Sequence, residues 1–522
     1  MSRISFLQDM LASVLDFRGA DAPEEDSRTL VELCEALLSS RGEVSGSRLT
    51  GSILQRFAEG DENQTLEFFN WMVESLDIDT DTAAIAINQY KHDPSPSNWQ
   101  SLVDATEPRR LELLRRINRA AGATEQLVSM REQLNRFSRK HKQLARVDAD
   151  FERLFKSWFN RGFLMLREID WRTPANILEK IIRHEAVHAI NDWQDLRRRL
   201  EPPDRKCFAF FHPAMQEEPL IFVEVALTSS LPESIQSVLS PDREPMASEE
   251  ATTAVFYSIS NCQPGLRGVS FGNFLIKHVA TELAVSYPNI KQYRTLSPIP
   301  GFARWLETQN ELNPTSGTVI AGDTVDTALP GKFSTDEKSS DAEDSIFSAE
   351  LLQAACSRAI DYRASLHDKR ILESLDRKDK DKADAAEESN SSDTATVSAT
   401  SATPVNPEET NESVAELARL AAYYLVKVKR ADNQPLDPVA RFHLGNGAAL
   451  DAVVADADLS TKGVAQSAGA MVSYLYDLDK VIAQHEAYAS EQVVAHSKPV
   501  AKLLDDSSDS GRFRLPGVRL TG

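Results

Sequence analysis

The chain has 522 residues, 41% of them hydrophobic, which is enough for more than one buried core and suggests two or three domains. A formal charge of −21 argues against a general nucleic-acid partner, while leaving room for a local basic site that takes a phosphorylated small molecule. Four scattered cysteines without CxxC spacing indicate neither a disulfide framework nor a zinc knuckle. With no long apolar run for a secretory signal or a membrane span, a cytoplasmic enzyme is expected.

Residues 1 to about 165 read as helical. Leu30–Leu38 and Leu111–Met130 repeat apolar residues at three- and four-residue spacing with charges between them. No catalytic cluster falls in this part, so it reads as a helical bundle used for assembly. Further on comes His184-Glu185-Ala186-Val187-His188. On a helix these histidines would share a face and could hold zinc, with Glu185 as general base. No third ligand follows at a recognised spacing, so the pair is read as a helix-end coincidence and no metal is expected.

After Trp171 the texture changes. Lys206–Phe211 and Leu220–Leu227 predict a hairpin, Ala254–Ser260 a third strand, and Phe271–Ser286 a helix that stops before Pro288. A fourth apolar segment approaches Leu296-Ser297-Pro298. Together these make an α+β domain. The turn Gly265–Gly272 would open the helix with unpaired N–H groups, and Arg267 adds a cation, a combination that suits a pyrophosphate. Residues 313–345 and 376–412 are polar and low in complexity, and both read as disordered tethers. A last folded section begins near Val414, contains Phe442-His443-Leu444-Gly445-Asn446-Gly447, and is expected to end in helices around Met471–Val481 and Ala483–Val494. Taken alone, Ser297 reads as an ordinary strand end and His443 as an ambiguous histidine able to move a proton near neutrality.

Several blocks in order resemble the malonyl-CoA decarboxylase family. They are Glu185–His188 with Asn191 and Trp193, Arg197–Arg199, Cys207–Phe211, Glu218–Leu220 and Val225–Thr228, then Phe256–Ser260 and Gln263–Lys277. Leu296-Ser-Pro-Ile-Pro-Gly-Phe302 with Trp305 is the most specific. Pro438–Gly447, Asp458–Ser460 and Lys462-Gly463 complete the set, which spans roughly residues 165 to 480.

The resemblance implies a helical oligomerisation domain over 1–165 and a catalytic domain over 166–522 with a GNAT-type acyltransferase-like fold. It implies removal of CO2 from malonyl-CoA to give acetyl-CoA, without biotin or metal, coenzyme A being part of the substrate. The family's catalytic serine and histidine match Ser297 and His443. Its acyl-CoA-binding turn matches Arg267, Gly268, Val269, Ser270, Phe271, Gly272 and Asn273. Where the family pattern has a glutamate in this turn the chain has Ser270. Asn446 is the candidate for orienting the imidazole. A homo-oligomer is implied, with no nucleic-acid or membrane partner. The alternatives are a CoA-dependent N-acetyltransferase and a silent acyl-CoA-binding regulator.

Overall fold

The computed structural model describes residues 27–39, 43–269, 275–311, 351–366 and 407–505. By internal packing these fall into two units. One runs to Leu164 and also takes in His212–Gln216 and the turn from Gln263; the other holds the rest.

The first unit is helical through α1 (Leu30–Ser39), α2 (Glu43–Glu59), α3 (Glu62–Ser75), α4 (Thr80–His92), α5 (Pro96–Thr106), α6 (Arg109–Ile117), α7 (Ala123–Ser138) and α8 (Ala145–Trp158). Local chemistry sets several starts. Asp61 accepts from the Gln64 amide at 2.9 Å while Gln64 returns a bond to the Asp61 amide at 3.0 Å, a reciprocal cap for α3. The expected periodic run Leu111–Met130 is two helices, not one. It breaks at Asn118–Gly122, where Gly122 takes φ +73°, a backbone shape that costs glycine nothing. Leu111, Leu114 and Ile117 of α6 and Phe151 and Phe155 of α8 are buried. Beside them buried Arg110 reaches Asp77 at 3.1 Å and is also bonded to Asp150.

The turn Gln263–Val269 is anchored inside this unit. Arg131 of α7, itself buried, donates from Nη1 to the carbonyls of Gly265 at 3.0 Å and Arg267 at 2.8 Å, while its Nε bonds Asp148 at 2.7 Å. A Cβ on Gly265 would stand 1.9 Å from the Val128 carbonyl oxygen, so only glycine fits the close approach to α7.

The second unit is built on an eight-stranded mixed sheet. Its strands are β1 (Met165–Ile169), β2 (Arg205–Phe211), β3 (Ile221–Thr228), β4 (Thr253–Asn261), β5 (Gln292–Thr295), β6 (Ser297–Pro298), β7 (Ala449–Val454) and β8 (Met471–Leu475). The predicted hairpin is β2–β3, antiparallel with Cys207 opposite Glu224. β4 is followed by α12 (Leu275–Ser286) and then by β5, which lies parallel to β4 with Phe256 opposite Thr295. β8 then pairs with β5, β6 and β7.

Two apolar clusters fill one side. α9 (Ala175–His184) and α10 (Trp193–Leu200) bury Ile177, Leu178, Ile181, Leu196 and Leu200 against Cys207, Phe211 and Phe222. α11 (Ile235–Leu239) contributes Ile235 and Val238 to a second cluster with Ala226, Val255, Tyr257, Leu296 and Met471.

Two expectations change and one holds. Met471–Leu475 is a strand, not the start of a helix, because an apolar run with Val472 and Tyr474 fits a slot flanked by β5, β6 and β7. The helix over Ala483–Val494 is present as α18 (Val481–Glu491). The tether expected over 376–412 ends early. After α13 (Phe302–Glu311) and α14 (residues 351–366), helix α15 spans Pro407–Val426, so 407–412 are helical, with proline at the first position, where its missing N–H is not needed. Residues 313–345 and 376–406 lie outside the described residues.

Gly265→Ala tests the packing of the turn on α7. The added methyl forces backbone apart, and we expect a loss of about 1–3 kcal/mol of stability in denaturant unfolding.

Candidate active site

Ser297 owes its position to strand alternation. β5 and β6 pair with β8 in one continuous register, Arg294 opposite Leu475 and Ser297 opposite Val472. Leu296 therefore turns into the apolar cluster, where it is fully buried, and Thr295 and Ser297 share the other face. The Tyr474 amide donates to Thr295 Oγ1 at 3.1 Å, and Ser297 Oγ donates to the same oxygen at 3.0 Å. Between Pro298 and Pro300, the Ile299 amide donates to Ser467 Oγ at 3.0 Å.

His443 arrives on α16 (Pro438–Gly445), an eight-residue helix with proline at its first position and Asp437 as its cap. Just past it, Gly447 at φ +80° turns the chain toward β7, and a Cβ there would meet the Val481 carbonyl oxygen at 2.0 Å. The two candidate residues, 146 positions apart, meet with Ser297 Oγ 3.2 Å from His443 Nε2. Their surroundings are closed, with Ser297 6% and His443 1% exposed.

The hydrogen bonds fix a direction. The single hydroxyl proton of Ser297 is directed at Thr295, so the contact with Nε2 requires the nitrogen to donate. The imidazole then carries its proton on Nε2, and Nδ1 is the acceptor for the Tyr476 hydroxyl at 2.8 Å. Tyr476 to His443 to Ser297 to Thr295 is one head-to-tail chain. Burial holds the His443 pKa down to about 3, so the ring is neutral at physiological pH. Tyr474 stacks on it, with centroids 4.4 Å apart and planes 22° from parallel.

Asn446 does not orient this ring. Its Nδ2 donates to the Phe442 carbonyl at 2.7 Å, where it helps close α16, and Tyr476 occupies the place the sequence reading gave it. The misreading of Met471–Val481 as helix hid Tyr476: on a strand, Tyr474 and Tyr476 fall on the same side, two residues apart. The His184–His188 motif is not a helical pair, since α9 ends at His184. Glu185 instead turns inward. It accepts from Ser258 Oγ at 2.7 and 2.8 Å, from Ser260 Oγ at 3.2 Å, and from the amides of Val187 and His188 at 2.8 Å. Among the described residues no three His, Cys, Asp or Glu side chains gather as metal ligands would. Of the other acids, Glu218 pairs with Lys180, and fully buried Glu224 faces Arg199 at 3.2 Å. Arg267, Gly268 and Val269 are in the helical unit, with Gly268 at φ +80°. Ser270, Phe271, Gly272 and Asn273 lie outside the described residues.

Residues 162–513 match the family model of the malonyl-CoA decarboxylase C-terminal domain, and residues 77–159 match that of the N-terminal domain. The chain belongs to the malonyl-CoA decarboxylase family. It is an enzyme of the decarboxylase, or carboxy-lyase, class.

Similar relatives include mitochondrial malonyl-CoA decarboxylases of Anser anser anser and Rattus norvegicus. The first is 32% identical over 413 residues, covering 78% of this chain and 71% of the relative. The second is 29% identical over 420 residues, covering 77% and 72%. Among solved structures, malonyl-CoA decarboxylase from Rhodopseudomonas palustris is 41% identical with a TM-score of 0.71, covering 91% of this chain and 98% of that one. The enzyme from Agrobacterium vitis is 42% identical with a TM-score of 0.71, covering 91% and 99%. For this malonyl-CoA decarboxylase family member, no helix among the described residues is long and apolar enough to cross a membrane.

Tyr476→Phe leaves Nδ1 without its donor. In 15N spectra of histidine-labelled protein, we expect the Nε2–H tautomer of His443 to give way to a mixture, with a decarboxylation rate lower by about tenfold or more. An unchanged His443 spectrum would overturn the assigned direction of the chain.

Proposed function

We propose that this protein decarboxylates malonyl-CoA to acetyl-CoA and CO2 with Ser297 and His443 and without biotin or metal. The observation that carries the reading is the 3.2 Å approach of Ser297 Oγ to His443 Nε2 in a nearly water-free interior. Loss of CO2 breaks the bond between Cα and the carboxyl carbon and leaves its electron pair on Cα, delocalised onto the thioester oxygen as an enolate. That oxygen needs a fixed donor, and such a donor in a dry site is worth ~10²–10³ in rate. His443 supplies it from Nε2–H. Its depressed pKa is compatible with this role, since the neutral ring still carries one N–H to donate. Ser297 turns its hydroxyl from Thr295 to the malonyl carboxylate and holds it where CO2 departs. One proton taken up from solvent then adds to Cα, completing the acetyl group.

In this reading the pyrophosphate of coenzyme A belongs to the segment Arg267–Asn273. The succession β4, α12, parallel β5 supports a GNAT-like classification of the sheet domain. The proposal also places the enzyme in the cytosol as a homo-oligomer. Exposed Ile85, Trp99 and Val103 on α4 and α5 support contact between helical domains.

Ser297→Ala and His443→Ala should each keep a wild-type circular dichroism spectrum and lose about 10²–10⁴ in CO2 release, read together with mass analysis of the CoA products. Full turnover in both removes the site. Dialysis against a chelator should leave the rate unchanged, and a loss that zinc restores would replace the metal-free reading.

A further inference from the structure

His443 is held from two sides, by its hydroxyl partners and by the short helix that carries it. An eight-residue helix has little stability of its own, so its cap and packing decide where its last turn lies. The cap is Asp437, which has no exposed surface. One carboxyl oxygen, Oδ1, accepts from the Ala440 amide at 2.7 Å, and the other, Oδ2, is buried without a partner. The stacking platform beneath the imidazole has a matching vacancy: the Tyr474 hydroxyl is also buried and unpartnered. Nothing in the decarboxylation chemistry uses either group.

We infer that Asp437 is the positioning residue of His443, fixing α16 through Oδ1 while its unpartnered Oδ2 stays buried at the head of that helix. The groups facing it come from three elements. Arg441 of α16 attracts its charge, though both bonds of the Arg441 Nη1 go to the carbonyls of Pro435 and Leu436 at 2.7 Å. Tyr424 of α15 and Tyr474 of β8 feel it as a negative charge that adds to burial in raising their own pKa values. Burial raises Asp437 to about 7, outweighing the Ala440 amide, Arg441 and the Val439 amide.

The sign follows. Between the unfolded value near 3.8 and about 7, the folded state holds a proton that the unfolded state has lost. The stability this contributes is therefore full at low pH and disappears as pH rises through about 7. Above that pH the head of α16 holds a buried anion that Arg441 and the cap amides do not fully offset, and the helix that presents His443 loosens.

The inference rests on His443 being the working imidazole, and three variants separate the two claims. His443→Ala tests the site, and if it decarboxylates normally the proposed function fails, whatever Asp437 does. Asp437→Ala removes the cap and should lower kcat about tenfold or more at every pH with KM nearly unchanged. Asp437→Asn keeps a capping oxygen but cannot ionise. The wild-type kcat should fall by about tenfold per pH unit above neutrality, and Asp437→Asn should show no such limb. A wild-type kcat in Asp437→Ala, or a limb that persists in Asp437→Asn, overturns the inference.

Discussion

The structure of the catalytic unit turns on keeping an imidazole dry. His443 sits in an interior that disfavours its charged form, so its value as a donor comes from geometry and not from a positive charge. Each ring nitrogen has a hydroxyl neighbour, and the polarity of the chain from Tyr476 to Thr295 leaves one consistent proton arrangement. Such an arrangement costs little reorganisation when negative charge develops beside it, which is the condition for effective electrostatic stabilisation.

Three elements distant in sequence have to agree for this to hold. β5 and β6 supply Thr295 and Ser297, the helix behind the Asp437 cap supplies His443, and β8 supplies the ring beneath it and, one residue past the strand's end, the tyrosine at its far nitrogen. β8 is the element the other two share. It carries the register that faces Ser297, lends an amide to Thr295, and is joined to the helix through the glycine turn and β7. Its central place in the sheet explains why none of these positions tolerates a shift: moving β8 by one residue would turn Tyr474 away from the imidazole.

The interior also holds carboxyl groups that do not enter the hydroxyl chain. Glu185 is spent on two serines and two backbone amides of its own loop, so the motif that suggested a zinc site is a structural knot. Glu224 is fully buried beside Arg199, and burial, with Glu185 adding to it, still raises its pKa to about 8. Glu224 shows the same balance as Asp437: at both, desolvation outweighs the nearest compensating group. The hydrogen bonds of the Ser297 and His443 side chains run to each other and to the hydroxyls of Thr295 and Tyr476, with no carboxylate in that chain.

The sequence by itself determined the local pieces. Period-two apolar runs with turn residues between them marked the β2–β3 hairpin and β4, and three- and four-residue spacing marked the helical unit, because these patterns depend only on which face of an element is buried. Ordered blocks around Ser297 and His443 were enough to single out both residues. Tertiary structure decided what those residues touch. Met471–Leu475 has the composition of either a helix or a strand, and only the slot between β5, β6 and β7 made it a strand and so brought Tyr476 to the imidazole. Gly122 broke a run that looked continuous, and Asn446 donates to a helix carbonyl and not to the ring it was expected to orient. Periodicity reports burial, whereas a hydrogen-bond partner drawn from another part of the chain exists only once the sheet has closed around it.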